Sequence, residues 1–198
     1  GSLEIVKLFL GRGRDVNELN EAGEAPLHVA AQGGKEEAVR HLLAEGADAK
    51  KLDKDGDTVL HAAAWGGSLE IVKLFLGRGR DVNELNEAGE TPLHVAARVG
   101  EDEVARLLLA EGADVKKLDK GGNTVLHAAA RGGALEIVKV FLRSGRDVNE
   151  SNEAGETLLH IAALSGEEKV VRLLLAEGAD LKKVDNKGNT VLHAAAWG

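Results

Sequence analysis

The chain has 198 residues, no cysteine and a formal net charge of −8 at pH 7. The absence of cysteine excludes disulfides, and no apolar run approaches the ~18 residues that a membrane span needs. An acidic chain disfavours nucleic acid as a partner, because lysine and arginine supply most of the affinity for phosphate backbones. We therefore expect no membrane or nucleic-acid partner, and the lack of a signal-peptide pattern favours an intracellular location.

The first predicted helix covers residues 3–10, in which Leu3, Val6 and Leu10 form an apolar stripe at helical spacing. Glycines at positions 11 and 13 end this helix, because glycine readily takes the left-handed conformation of helix C-termini. The polar segment 14–24 carries a glycine near its tip and predicts a β-hairpin finger. A second helix is predicted to begin at Pro26, since proline is tolerated in the first helical turn.

This pattern of helix, finger and helix recurs along the whole chain. Histidine returns at a constant step of 33 residues, at His28, His61, His94, His127, His160 and His193. In the last five copies a threonine stands three residues before the histidine, where its hydroxyl can cap the helix. A fixed period of this size predicts a solenoid, in which each repeat contacts only its neighbours.

Residues 91–97 (TPLHVAA) and the run 107–115 (LLLAEGADV) resemble the ankyrin repeat. The resemblance implies an all-α solenoid with β-hairpin fingers and a non-catalytic role in protein–protein interaction. It also implies that the histidine ring forms local hydrogen bonds that tie one repeat to the next. The resemblance covers the entire chain, with full repeats at 20–52, 53–85, 86–118, 119–151 and 152–184 and half repeats at 1–19 and 185–198.

A second period of 66 residues contains two of these repeats. Residues 1–24 are identical to 67–90, and 133–156 repeat them with few changes. The chain is therefore predicted to hold three modules, at 1–66, 67–132 and 133–198. Within each module the fingers alternate between acidic and basic, which predicts ion pairs of Glu18 with Lys51 and of Glu84 with Lys117.

Three features of the sequence suggest ion binding, but a structural role explains each of them better. Successive histidines lie on stacked helices about 8–10 Å apart, too far to share one zinc ion. The segment 53–57 (DKDGD) has glycine as its fourth residue, whereas the loop of a calcium-binding EF-hand has it as the sixth. The segment 77–80 (GRGR) ends a helix, whereas anions bind at helix N-termini. Since no nucleophile motif is present either, we expect no catalytic residue, no metal and no cofactor.

Positions that vary between otherwise repeated copies indicate a face that binds a protein partner. The ankyrin resemblance implies that partners contact the finger tips and the end of the first helix of each repeat, and tryptophan and arginine are common hot-spot residues. The alternative is that these positions merely tolerate variation. The predicted partner-binding residues are Gln32, Trp65, Arg98, Val99, Arg131, Leu164 and Trp197 at helix ends, and Lys54 and Asp55 on a finger.

Both ends of the chain carry interior sequence and lack the polar capping repeats that close natural arrays. Residues 190–198 are identical to 58–66, so Trp197-Gly198 of one copy can meet Gly1-Ser2 of another as 65–66 meets 67–68. This predicts head-to-tail self-assembly as an alternative function, for an engineered chain or for a segment of a longer array. The predicted end-to-end contact residues are Leu3, Val6, Leu10, Leu192, Ala195 and Trp197.

Overall fold

The computed structural model describes residues 3–198, so the predicted meeting point at Gly1-Ser2 lies outside the described residues. In the described part of the chain, twelve α-helices follow one another without a β-sheet. Their bounds are α1 Leu3–Leu10, α2 Pro26–Gln32, α3 Glu36–Ala44, α4 Val59–Trp65, α5 Leu69–Gly77, α6 Pro92–Val99, α7 Asp102–Ala110, α8 Val125–Arg131, α9 Leu135–Arg143, α10 Leu158–Leu164, α11 Glu168–Ala176 and α12 Val191–Trp197.

The helices form two columns. The even-numbered helices pack on one another in order from α2 to α12, and we call them the inner helices. The odd-numbered, outer helices contact the inner helix that precedes them and the next outer helix along the chain. Because these contacts join neighbours, the buried side chains form one continuous core from Leu27 to Val191. The described chain is a helical solenoid.

The inner helices are short and rich in alanine, which lets their backbones approach closely. At the start of α4 the hydroxyl of Thr58 accepts a hydrogen bond from the backbone N–H of His61 at 3.4 Å, which caps the helix. Ala63 of the same helix is fully buried. A Cβ on Gly66 would lie 2.1 Å from the carbonyl oxygen of Gln32 in the preceding repeat. Small residues at these positions therefore set the close spacing of successive repeats.

The fingers are tight loops, so the prediction of β-hairpins is not confirmed. Between residues 3 and 198 the only strand-type pairs are two isolated bridges, at 151–157 and 184–190. Each loop is instead closed by an asparagine or aspartate side chain. In the first loop, Asn20 Oδ1 accepts from the backbone N–H groups of Ala22 and Glu24, both at 2.9 Å. The next helix begins within two residues of the loop, which leaves no room for a strand ladder.

Hydrogen bonds join each finger to the next. The backbone N–H of Glu87 donates to the carbonyl of Asp55 at 2.9 Å, and other fingers repeat this contact. Every second junction has a further bond, in which an asparagine Oδ1 accepts from an aspartate N–H of the next repeat. The alternate junctions have lysine in place of the asparagine. These asparagine bridges join Asn17 to Asp48, Asn83 to Asp114 and Asn149 to Asp180, at 2.7–2.8 Å.

The predicted ion pairs between fingers are wrong. Glu18 pairs with Arg14, and Glu84 pairs with Arg80, four residues away on the same finger. Within residues 3–198, no ion pair joins Glu18 to Lys51 or Glu84 to Lys117. The arginine lies in the same loop as the glutamate, so the pair forms without ordering a long side chain across the gap between repeats.

Candidate functional site

The repeated histidines connect neighbouring repeats. The ring Nδ1 of His61 lies 3.3 Å from the backbone N–H of Thr58, which can only donate, so Nδ1 accepts and Nε2 carries the proton. Nε2 then donates to the carbonyl of Glu90 in the next finger, at 3.0 Å. His94 and His160 make the equivalent bond at 3.3 and 3.2 Å. In these three copies the ring ties one repeat to the next, as the resemblance implied, whereas Nε2 of His127 has no hydrogen-bond partner among residues 3–198.

These hydrogen bonds leave the ladder of histidines little capacity to bind a metal. Burial lowers the pKa of His61, His94 and His127, so their rings are neutral at pH 7. In His61 and His94 both ring nitrogens already have partners. Among residues 3–198, no group of three or more histidine, aspartate or glutamate side chains is placed to hold a metal ion.

His28 departs from the pattern of the other copies. Ala25 stands where the copy 66 residues later has Thr91, and α2 has no side-chain cap. Both ring nitrogens of His28 are buried without a hydrogen-bond partner. A buried polar group without a partner costs about 1–3 kcal/mol. The first full repeat therefore carries a penalty that the copy with threonine avoids.

The acidic segment 53–57 organises its own finger. Asp53 Oδ1 accepts from the backbone N–H groups of Asp55 and Asp57, at 2.9 and 2.8 Å. Asp57 accepts from Asn86 Nδ2 of the next finger at 2.7 Å. Burial raises the pKa of Asp57 to about 6, the bond from Asn86 opposes this rise, and the carboxylates of Asp53 and Glu90 add to it. Because these oxygens face N–H donors, the geometry favours a finger over a calcium loop.

The segment 77–80 lies at the end of α5 and is held by an internal ion pair. The side chains of Arg80 and Glu84 are only 19% and 12% exposed. Glu84 also accepts a hydrogen bond from the hydroxyl of Thr58. The charge of Arg80 is therefore balanced inside the protein, which makes this arginine a poor ligand for an external anion.

The predicted partner-binding residues at helix ends share one edge of the inner column, because each closes an inner helix. Trp65 is 47% exposed. Arg98 Nε donates to Glu90 Oε1 at 3.2 Å, which brings this helix end over the base of a finger. Lys54 and Asp55 are exposed on the neighbouring finger. Of the remaining predicted residues, Arg131, Leu164 and Trp197 are exposed, and Gln32 and Val99 are half-buried.

An apolar row on the fingers is absent from the predicted set. One residue before each finger loop, leucine recurs with about half of its surface exposed, as in Leu52 and Leu85 at 52% and 50%. In the sequence each of these leucines is a single apolar residue within a polar segment. This pattern could have predicted the row. The leucine row comprises Leu19, Leu52, Leu85, Leu118 and Val184, with Ser151 at the equivalent position of one repeat.

A family model described as ankyrin repeats (3 copies) matches residues 1–86, 66–152 and 133–198, which together span the chain. The chain belongs to the ankyrin-repeat family. Ankyrin repeats are generally protein–protein interaction modules and are typically non-enzymatic. A search of curated proteins finds no match. No helix within residues 3–198 has the length and apolar character that crossing a membrane requires.

The C-terminal end of this ankyrin-repeat chain exposes side chains that the interior buries. Leu192 of α12 is 77% exposed, whereas Leu60 at the same position of α4 is fully buried. Trp197 is 87% exposed, and Ala195 is also exposed. All three predicted contact residues of this end therefore lie on its surface.

At the N-terminal end, the structure shows exposed apolar residues that the predicted set of contact residues does not include. Apolar residues occupy both faces of α1, and one face packs against α3, so spacing alone does not tell which face is exposed. The predicted stripe is half-buried, and it consists of Leu3, Val6 and Leu10. The exposed apolar side chains of α1 are Ile5, Leu8 and Phe9, at 52%, 52% and 56%.

Proposed function

We propose that this ankyrin-repeat chain is a non-catalytic scaffold that binds a protein partner. The contact surface, which we call the binding face, combines the ends of the inner helices with the leucine row. The leucine row is the observation that carries this proposal, because its four leucines are 50–55% exposed at the same position of successive repeats. Because the leucines recur on successive fingers, they can offer a partner a repeated apolar contact.

Tryptophan and arginine on the binding face would anchor the partner. Trp65 presents an exposed ring, and Arg131 is exposed on the same edge. Glu90 holds Arg98 through two bonds of 3.2 and 3.3 Å, which reduces the side-chain entropy that binding must remove. The face fits a partner that offers apolar side chains to the leucines and to the Arg98–Glu90 pair, and a carboxylate to Arg131.

Two double variants test the proposal. Trp65→Ala with Arg98→Ala removes the anchors, and Leu52→Ser with Leu85→Ser removes the centre of the leucine row. Serine is compatible with the fold at this position, because Ser151 occupies it in another repeat. We expect each double variant to weaken binding of the partner by more than about 1 kcal/mol.

The control for these variants is Arg172→Ala on an outer helix, where the side chain is 76% exposed. Proteins retained by the unaltered chain in a pull-down should also be retained by this control and lost from both double variants. Thermal melts followed by circular dichroism should show that all variants are folded. A pull-down profile that both double variants leave unchanged would refute this binding face.

We also propose that the chain associates with itself through its two ends. The exposure of Leu192 and Phe9 favours this second function, since burying one such side chain contributes about 1.5–3 kcal/mol. Association costs some 4–15 kcal/mol, so the self-association should depend on concentration. In sedimentation equilibrium over about a hundredfold range of concentration, the average mass should rise. A constant monomer mass would exclude the self-association.

A further inference from the structure

Resting on the proposed self-association, we infer that each end docks onto the opposite end of a second copy in the register of the module boundary. We call the contact between α4 and α5 the module boundary. Gly66-Gly67 lies in the turn that connects these two helices. In the docked pair, α12 of one copy and α1 of the next take the places of α4 and α5. One ankyrin repeat that is split between two chains is thereby completed.

The surfaces that dock are copies of surfaces that already pack together inside the chain. Residues 190–198 are identical to 58–66, and residues 3–24 are identical to 69–90. α12 therefore has the sequence of α4, and α1 has the sequence of the first eight residues of α5. These two sequences already pack together at the module boundary. The surfaces of α12 and α1 are therefore complementary to each other without any change.

Docking buries the side chains that are exposed at the ends. At the module boundary, the side chains of Leu60, Ile71 and Phe75 are fully buried. At the next boundary, near residues 132–133, their counterparts Leu126, Ile137 and Phe141 are at most 5% exposed. At the free ends the same positions are 77%, 52% and 56% exposed in Leu192, Ile5 and Phe9. Removing this apolar surface from water supplies the driving force.

Polar groups at the ends fix the register of the docked pair. At the module boundary the hydroxyl of Thr58 donates to Glu84, and Thr124 repeats this contact with Glu150 at the next boundary. The corresponding pair across two chains is Thr190 with Glu18 of the second copy. Each contact of this kind is satisfied only in one register, so a slipped arrangement loses it.

A histidine and a finger add two further contacts in the same register. His61 Nε2 bonds to the carbonyl of Glu90 at 3.0 Å, and the equivalent partner of His193 is the carbonyl of Glu24 in the second copy. Within residues 3–198, His193 bonds only through Nδ1, to Thr190 at 2.8 Å and to its backbone N–H at 3.3 Å. The Glu21 N–H of the second copy meets the Lys187 carbonyl, as Glu87 meets Asp55 inside the chain. Docking therefore completes the histidine ladder across the two chains.

This contact joins two different surfaces, so a bound pair still has one free end of each kind. Such heterologous contacts produce open chains or rings rather than closed dimers. Blocking one end in every molecule must therefore stop association altogether. Mixing molecules blocked at opposite ends must restore one contact and no more.

The experiment uses two blocked variants of the full chain. Phe9→Lys places a charge on the α1 surface, and Leu192→Lys places one on the α12 surface. Val140→Lys is the matched control, since this side chain is 40% exposed on the outer helix α9, away from both ends and from the binding face. All three substitutions replace exposed side chains, and circular dichroism melts of each variant verify the fold. Sedimentation velocity measures each variant alone and the two blocked variants mixed in equal amounts.

We expect the unaltered chain and the Val140→Lys control to form a series of oligomers, each blocked variant to stay monomeric, and the mixture to form dimers only. Any oligomer formed by either blocked variant alone, or a mixture that stays monomeric, would overturn the inference while leaving the self-association itself intact. If the unaltered chain stays monomeric, the proposed self-association fails as well.

Tryptophan fluorescence gives a second readout. In a Trp65→Phe background, Trp197 is the remaining tryptophan. Docking should lower its exposure from 87% toward the 47% of Trp65, which shifts its emission to shorter wavelength as concentration rises. The shift should disappear when Leu192→Lys is added. Association without any shift would contradict the α12–α1 contact.

Discussion

Replacing Asp57 by asparagine should stabilise the folded chain at neutral pH and leave its stability below about pH 4 nearly unchanged. Burial raises the pKa of this carboxyl from 3.8 to about 6, and the hydrogen bond from Asn86 lowers it only in part. The neighbouring carboxylates of Asp53, Glu90 and Asp55 raise the pKa further. At neutral pH the finger therefore holds a negative charge that it solvates poorly.

The magnitude follows from the difference in pKa between the folded and unfolded chain. At 1.36 kcal/mol per pH unit, a rise from 3.8 to about 6 corresponds to at most about 3 kcal/mol. Because the carboxyl of Asp57 retains substantial contact with water, we expect about 1–1.5 kcal/mol. The unfolded carboxyl loses its proton near pH 4 and the folded one near pH 6. The penalty is therefore absent below pH 4, grows between these values and is complete above pH 6.

The chain contains its own precedent for this substitution. Asn123 occupies the same position two repeats later, and its Oδ1 accepts from Asn152 Nδ2 at 2.9 Å. Asparagine can therefore keep the bond that Asp57 receives from Asn86. The reverse variant, Asn123→Asp, should introduce a comparable penalty with the same dependence on pH.

Urea unfolding followed by circular dichroism measures the effect between about pH 3.5 and 8, at concentrations where the chain is monomeric. Asp57→Asn should gain stability as pH rises through 4 to 6, and Asn123→Asp should lose it over the same range. An equal gain for Asp57→Asn at pH 3.5 and pH 8 would refute the titration argument. If Asp57→Asn were less stable than the unaltered chain at pH 8, the conclusion that Asp57 carries an unfavourable buried charge would be refuted.

Three further predictions use the same unfolding assay. Ala25→Thr should stabilise the chain by about 1 kcal/mol, because the hydroxyl caps α2 and gives His28 a partner; no gain would contradict the missing cap. Gly66→Ala should destabilise it by at least about 1–3 kcal/mol through overpacking, whereas Gly77→Ala, whose added Cβ meets no atom within 4 Å, should not. Because burial lowers the pKa of His61, this residue should contribute full stability above pH 6.5 and lose at most about 1.4 kcal/mol per pH unit below it. The Asp57→Asn variant removes the opposing titration of Asp57, so a flat profile between pH 7 and 5 in that variant would contradict this prediction.

The helices and their threonine caps were predictable because short-range chemistry determines them, whereas the histidine bonds to the next finger were expected only from the resemblance to ankyrin repeats. Thr58 and His61 are three residues apart, and that spacing suffices for a cap in any copy of the repeat. The fingers were harder to predict, because a polar segment with a glycine fits a hairpin as well as an Asx-closed loop. The side chain of Asn20 decides between them by bonding the backbone that a hairpin would use for its ladder.

The candidate surfaces could be predicted only in part. Spacing in the sequence placed Glu18 beside a lysine of the next finger, but Arg14 is closer within the same loop and takes the pair. In α1, nearly every residue is apolar, so the stripe that faces the chain's own core looks the same in sequence as the stripe that faces water. Only the packing of the outer column shows that Ile5 and Phe9 lie on the exposed face of α1.

The asparagine bridges have a mechanical consequence. Junctions with Asn83 or Asn149 hold an extra bond between repeats, and the alternate junctions have lysine there. A chain pulled from its termini would therefore tear first at the lysine junctions and release two repeats at a time. Each tear would lengthen the tether by roughly 20 nm, the extended length of 66 residues at 3.3–3.6 Å each. Under load, the pair of repeats, and not the single ankyrin unit, is the element that yields.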